Sequence, residues 1–181
     1  MNVANLITLA RLFSVPLAIW LVLGGHLTAA FWLFVAAGLS DGIDGFIAKH
    51  FNQRSPLGAL LDPLADKTLL VSMCVTLGIA GRLPNWLVIL VVFRDLVIVG
   101  GYLVAMAVSQ PIRARPLAIS KLNTVLLIAL VAVVLGRLGL GIDDYHLSEV
   151  LVYAVGLTTV LSGLGYVVRW WRGFDDAERG A

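Results

Sequence analysis

This sequence predicts an all-α integral membrane protein of six transmembrane helices, on three observations. First, of its 181 residues 60% are hydrophobic and only 13% are charged, whereas an ordinary soluble domain is roughly 25% charged. A soluble chain of that composition would expose large apolar patches. Second, the chain contains six apolar stretches, each close to the roughly 20 residues that carry a helix across a bilayer. Third, clusters of Gly, Pro and polar residues fall between the stretches and nowhere else for long.

The first stretch, residues 6–24, holds Arg11 and stops at Gly24-Gly25-His26. The second, 28–47, closes on Asp41 and Asp44, and the third, 58–79, opens on Asp62, Asp66 and Lys67; residues 52–56 separate the two. The third ends at the turn 81–84. The fourth, 86–108, carries Arg94 and Asp95 in mid-run and ends at the polar segment 110–116. The fifth, 117–138, has Lys121 near its start and ends at 139–144. The sixth, 147–170, is followed by a polar tail at about 172–181. Six spans with short connections use almost the whole chain, so residues 1–181 read as a single membrane domain. The N-terminal stretch lacks the basic flank and small-residue cleavage site of a secretory signal, and reads as a first span.

Net charge is +2, too small to point to nucleic acid, but its placement is informative. Lys49, Arg54, Arg113, Arg115, Arg169, Arg172 and Arg179 lie at alternate connections and at the C-terminus, while the intervening connections carry only Arg82 and Arg137. By the excess of Lys and Arg on the cytoplasmic side, both termini face the cytoplasm, with a bacterial inner membrane as the expected location. One cysteine, Cys74, excludes a disulfide within the chain.

Ionisable residues inside spans are costly and are functional candidates by default. Asp41 and Asp44 are spaced i, i+3, and Asp62 and Asp66 i, i+4; either spacing puts a pair on one helix face. Two antiparallel neighbouring helices would gather all four at one level. Such carboxylates do not stay ionised together without cations, and hard oxygen donors suit Mg²⁺ or Mn²⁺. A two-metal site of this kind stabilises the attacking and leaving oxygens of a phosphoryl substitution. The plainer alternative is four scattered carboxylates neutralised by nearby Lys and Arg. Gly45, Ala48, Gly58 and Ala59 lie on or beside the acidic faces; they either admit a substrate close to the backbone or serve helix packing.

At these residues the sequence resembles the CDP-alcohol phosphatidyltransferases. The family pattern D-x-x-D-G-x-x-A-R, eight residues, then G-x-x-x-D-x-x-x-D is met by Asp41, Asp44, Gly45, Ala48, Gly58, Asp62 and Asp66 with every spacing kept. Lys49 stands where the family usually has Arg; it keeps the charge and loses the planar fork. Asn5, Thr8 and Arg11 match the family's N-terminal N-x-x-T-x-x-R stretch. The resemblance implies a six-helix bundle, commonly a homodimer, with two divalent cations on the four aspartates and Asp66 as general base. It further implies a CDP-lipid site lined by Asn5, Thr8, Gly45, Ala48, Lys49 and Gly58. CDP-diacylglycerol would donate its phosphatidyl group to an alcohol, releasing CMP.

For the acceptor, residues 62–67 (Asp-Pro-Leu-Ala-Asp-Lys), 93–96 (Phe-Arg-Asp-Leu) and 119–124 (Ile-Ser-Lys-Leu-Asn-Thr) are most similar to CMP-forming cardiolipin synthases. Phosphatidylglycerophosphate synthases share the first stretch but more often show Arg-Glu in the second and a further lysine where Asn123 stands. One cation fewer suits a monoanionic phosphodiester. The expected acceptor is therefore phosphatidylglycerol, with glycerol 3-phosphate as the alternative. Arg11, Arg94, Arg113, Arg115 and Lys121 are the candidates to hold the acceptor's phosphate. Each has a second reading: a tie between the first helix and the aspartates for Arg11, an ion pair with Asp95 for Arg94, and headgroup contacts for Arg113 and Arg115. Lys121, inside the fifth span, reads as a functional contact. Two other classes fit the acidic cluster less well: a cation transporter, which needs access from both membrane sides, and a membrane prenyltransferase, which needs a longer bundle and other spacings.

Overall fold

The computed structural model describes residues 3–51, 56–107 and 117–179, with side chains described over 10–40, 67–101 and 117–169. Among the described residues all regular structure is α-helical: α1 (Val3–Leu23), α2 (Leu27–Phe51), α3 (Pro56–Ile79), α4 (Asn85–Ala107), α5 (Ala118–Leu140) and α6 (Leu147–Arg179). Each of the six apolar stretches is a helix. Among the described residues two segments are long and apolar enough to cross a membrane, Ala118–Leu140 and Leu147–Arg169. Shorter apolar segments run over Ala10–Leu23, Leu27–Ser40 and Lys67–Ile79.

Most boundaries fall within a few residues of those the sequence predicts. The exception is α6, which continues to Arg179 through the segment expected to be a polar tail. The added residues include Ala177, Glu178 and Arg179, all good helix formers. Extending an existing helix also needs no new nucleus.

Two helices end by the same device. At α1, Gly25 takes φ +77°; the amide of His26 donates to Leu21 O and that of Gly25 to Val22 O. At α3, Gly81 takes φ +68°, and the amides of Arg82 and Gly81 donate to Leu77 O and Gly78 O. A left-handed residue turns the chain back so that otherwise orphaned carbonyls are satisfied, and glycine adopts that conformation without steric cost.

The chain divides into two compact units. The first comprises Met1–Leu83 and Val131–Ser148. In it α1 packs against both α2 and α3. Val15, Ala18 and Val22 of α1, Ala30 and Phe34 of α2, and Met73, Cys74 and Leu77 of α3 are buried, each set at helical spacing. The start of α2 also meets the end of α5 backbone to backbone. Thr28 Oγ1 donates to Gly139 O, and a Cβ added at Gly139 would lie 2.7 Å from the Leu27 carbonyl and the Thr28 amide nitrogen. Next to this contact the α5–α6 turn is tied down by Asp144. Its carbonyl accepts from the Leu147 amide and its carboxylate from the Ser148 amide, and Arg137 lies 3.8 Å from the carboxylate.

The second unit comprises Pro84–Leu130 and Glu149–Ala181. Leu87 and Val91 of α4, Leu127 and Leu130 of α5, and Val152, Val155 and Tyr166 of α6 are buried there. Trp86 stacks on Tyr153 and fits against Gly156, where a Cβ would meet the indole at 2.8 Å.

Many large apolar side chains point outward, including Phe13 at 70% exposure, Ile89 at 67% and Phe93 at 64%. Arg94, Asn123, Thr159 and Ser162 are buried. Outward apolar side chains together with a few buried polar ones suit a lipid surround, where helix association relies on packing and interhelical hydrogen bonds instead of water exclusion.

Candidate functional site

The signature residues sit where α2 ends and α3 begins. Asp41, Asp44, Gly45, Ala48 and Lys49 belong to α2, and Gly58, Asp62 and Asp66 to α3. Helix runs unbroken through both sets, so the i, i+3 and i, i+4 spacings do place each aspartate pair on one helix face. Both helices pack against α1, which carries Asn5, Thr8 and Arg11. All the aspartate and CDP-lipid candidates thus belong to the first unit. The side chains of Asn5, Thr8, Asp41, Asp44, Gly45, Ala48, Lys49, Gly58, Asp62 and Asp66 lie outside the described residues, as do Arg113 and Arg115 altogether. Four carboxylates in two helical pairs are an all-oxygen donor set of the kind that holds Mg²⁺ or Mn²⁺. In α1 the Arg11 side chain is buried, at 5% exposure, and Ser14 Oγ donates to its carbonyl.

In the second unit Arg94 is the centre of a buried polar cluster. Its Nη1 donates to Asp95 Oδ1 at 2.6 Å. Nε and Nη2 donate to Ser162 Oγ of α6 at 3.3 and 2.9 Å, and Nη2 also donates to Ser120 Oγ of α5. Adjacent residues on a helix point in different directions, yet the guanidinium is long enough to fold back onto its neighbour. Of the two readings the sequence leaves open for Arg94, the ion pair with Asp95 is present.

Further along the same helices, Asn123 Oδ1 accepts from Thr158 Oγ1 at 2.7 Å and from Thr159 Oγ1 at 2.9 Å. Sequence reasoning does not reach Ser120, Thr158, Thr159 or Ser162, because small hydroxyl residues are common in membrane helices and their partners lie 26 to 68 residues away. Lys121 lies within α5 and its side chain is exposed, next to half-buried Ser120 and two residues before buried Asn123.

Residues 1–171 match the family model of the CDP-alcohol phosphatidyltransferases. The chain belongs to that family. Among curated CDP-alcohol phosphatidyltransferase relatives is the cardiolipin synthase (CMP-forming)/mitochondrial hydrolase fusion protein of Schizosaccharomyces pombe, 34% identical over 91% of this chain and 30% of its own length. A probable CMP-forming cardiolipin synthase of Drosophila melanogaster is 32% identical over 93% of this chain and 57% of its own. A probable phosphatidylglycerophosphate synthase of Mycobacterium tuberculosis H37Rv is 36% identical over 93% of this chain and 81% of its own. The chain thus spans about a third of the first of these relatives and somewhat over half of the second. Relatives named for two different products lie at similar distance, so the family is fixed at the level of CDP-alcohol phosphatidyl transfer, a step of phospholipid biosynthesis.

Proposed function

We propose that this phosphatidyltransferase uses CDP-diacylglycerol as donor and phosphatidylglycerol as acceptor, giving cardiolipin and CMP. The observation that carries the reading is the complete spacing of Asp41, Asp44, Gly45, Ala48, Gly58, Asp62 and Asp66 on two helices that share α1 as a packing partner. The cardiolipin synthases of fission yeast and Drosophila support the acceptor, as does the neutral Asn123, a buried amide held by two hydroxyls.

Asp41, Asp44, Asp62 and Asp66 are the residues that would hold two divalent cations, whose charge, when bound, would offset that of the donor pyrophosphate and of departing CMP. Asn5, Thr8, Gly45, Ala48, Lys49 and Gly58 bind the CDP-lipid; the small residues let its head group approach the helix backbone. Asp66 accepts the proton of the acceptor hydroxyl. The freed oxygen bonds to the phosphorus that carries diacylglycerol, the bond from that phosphorus to CMP breaks, and the proton passes from Asp66 to solvent. Arg11, Arg113, Arg115 and Lys121 are the cations assigned to the acceptor's phosphate, with Arg94 supporting them. The whole chain acts as one membrane domain in a homodimer, in a bacterial inner membrane with the active site and both termini toward the cytoplasm.

The mycobacterial relative favours a second reading, with glycerol 3-phosphate as acceptor. Purified protein in liposomes, given CDP-diacylglycerol and Mn²⁺ with each acceptor in parallel, separates the two. Cardiolipin by mass spectrometry, with CMP release only when phosphatidylglycerol is present, is the expected result. Phosphatidylglycerophosphate as sole product would keep the donor chemistry and replace the acceptor.

A further inference from the structure

Arg94 has five N–H donors in a fixed fork, and four of them are already used. Nε and one N–H of Nη2 go to Ser162, the other N–H of Nη2 goes to Ser120, and one N–H of Nη1 goes to Asp95. The Asp95 carboxylate, 2.6 Å away, balances the charge. Only 6% of the side chain is exposed. A guanidinium in this state has one donor left and no fork to offer, so it does not suit two-point capture of a phosphate.

It does suit fixing one helix against another. Ser120 is in the first turn of α5, where its amide and that of Lys121 both donate to Leu117 O. Ser120 and Asn123 are spaced i, i+3, and Thr158, Thr159 and Ser162 fall within one turn of α6. Arg94–Ser120–Ser162 and Asn123–Thr158–Thr159 therefore form one polar seam along α5 and α6. Apolar packing in lipid specifies rotation weakly, because the surround is as apolar as the side chains; hydrogen bonds between helices specify it. With Asn123 turned inward, Lys121, two residues back, is exposed.

We infer that Arg94 is a positioning residue: through Ser120 and Ser162 it fixes the rotation of the first turns of α5, and so sets the direction in which Lys121 meets an anionic acceptor. The acceptor part rests on the function proposed above; the helix placement does not. Asp95 pairs with the guanidinium, and Ser162 accepts two of its four bonds.

The test has two arms. In a Cys74→Ala background, cysteine is placed at Lys121 or, as a buried control, at Leu127 (4% exposed), and labelling by a water-soluble maleimide is timed in liposomes. Adding Ser120→Ala with Ser162→Ala, or Arg94→Lys, is expected to shrink the ratio of the two rates about tenfold, in line with loss of hydrogen bonds to a charged group. An unchanged ratio overturns the positioning role. In the second arm acceptor KM and kcat are measured on the cysteine-unmodified protein. The double serine variant is expected to raise acceptor KM about tenfold while donor KM holds, and Arg94→Lys is expected not to rescue, since it keeps charge without the fork. Normal acceptor KM in the serine variants, with loss confined to Arg94 variants, would mean that Arg94 contacts the acceptor itself. Size-exclusion profiles matching wild type establish that the variants are folded. Wild-type protein that releases no CMP with any acceptor overturns the transferase reading and the acceptor role of Lys121, while the labelling arm still decides the placement of α5.

Discussion

A buried guanidinium without partners would be expensive in this molecule, and Arg94 avoids that cost with one carboxylate and two hydroxyls. Its neighbour Asp95 was readable in the sequence as a pairing partner, because the two are adjacent. The serines were not, because nothing local marks a hydroxyl 26 or 68 residues away as a partner. The aspartates are the opposite case, since their helical spacing carries their meaning. On the proposed mechanism, Asp62→Asn removes charge from the metal site and is expected to lower kcat by more than about 10³-fold, electrostatic stabilisation being the larger contribution. Asp66→Asn also removes the base, which alone is worth about 10²–10⁴-fold. Steady-state CMP release on folded protein checks both. Asp144 gives a test of stability at the same scale. Its carboxyl is held below the ordinary value of 3.8, first by the hydrogen bond with the Ser148 side chain and also by the Ser148 amide and Arg137. A lowered folded value means stabilisation that is fully present above the unfolded value and is lost as pH falls through the folded one. Thermal unfolding of Asp144→Asn is thus expected to differ from wild type at neutral pH and to converge on it in acid below that range.

At the scale of elements, glycine has two separable roles here. Gly25 and Gly81 end helices through left-handed backbone, and their place in clustered turn residues made those ends legible. Gly139 is helical and serves a contact. A methyl there would press on Leu27 and Thr28 backbone at 2.7 Å, and backbone cannot rotate away as a side chain can. Gly139→Ala is expected to destabilise by about 1–3 kcal/mol, the usual range for overpacking. Gly136→Ala, whose Cβ would sit 3.5 Å from the Phe31 ring in ordinary contact, is expected to be near neutral. Because Cys74 is the sole cysteine and is fully buried, a thiol-reactive dye reports unfolding of both variants directly. Sequence did not reveal this contact, since Gly139 sits among turn residues and its partner is more than 100 positions away. The extension of α6 to Arg179 was likewise hidden, because the segment is charged and Gly173, Asp175 and Asp176 are poor helix formers.

For the whole molecule, composition and punctuation carried the six helices seen among the described residues, since a helix satisfies its own backbone wherever apolar surroundings exclude water. Division into two compact units was not legible; it depends on α5 contributing its first half to one unit and its second half to the other. The aspartates, the CDP-lipid candidates and Arg11 belong to one unit, and Lys121 with its neighbours Ser120 and Ser162 to the other. Donor chemistry and acceptor choice are therefore expected to be separable by mutation: changes at Ser120 and Ser162 act on the acceptor, changes at the aspartates on all turnover. The most direct test of the central claim is CMP release from CDP-diacylglycerol by purified protein stripped with EDTA and then titrated with Mn²⁺ or Mg²⁺, with Asp62→Asn alongside. Release that is absent after stripping, restored by metal, and missing in the folded variant is the expected result. Release that survives stripping, or a variant that matches wild type, would contradict a metal-dependent phosphatidyl transfer built on these four aspartates.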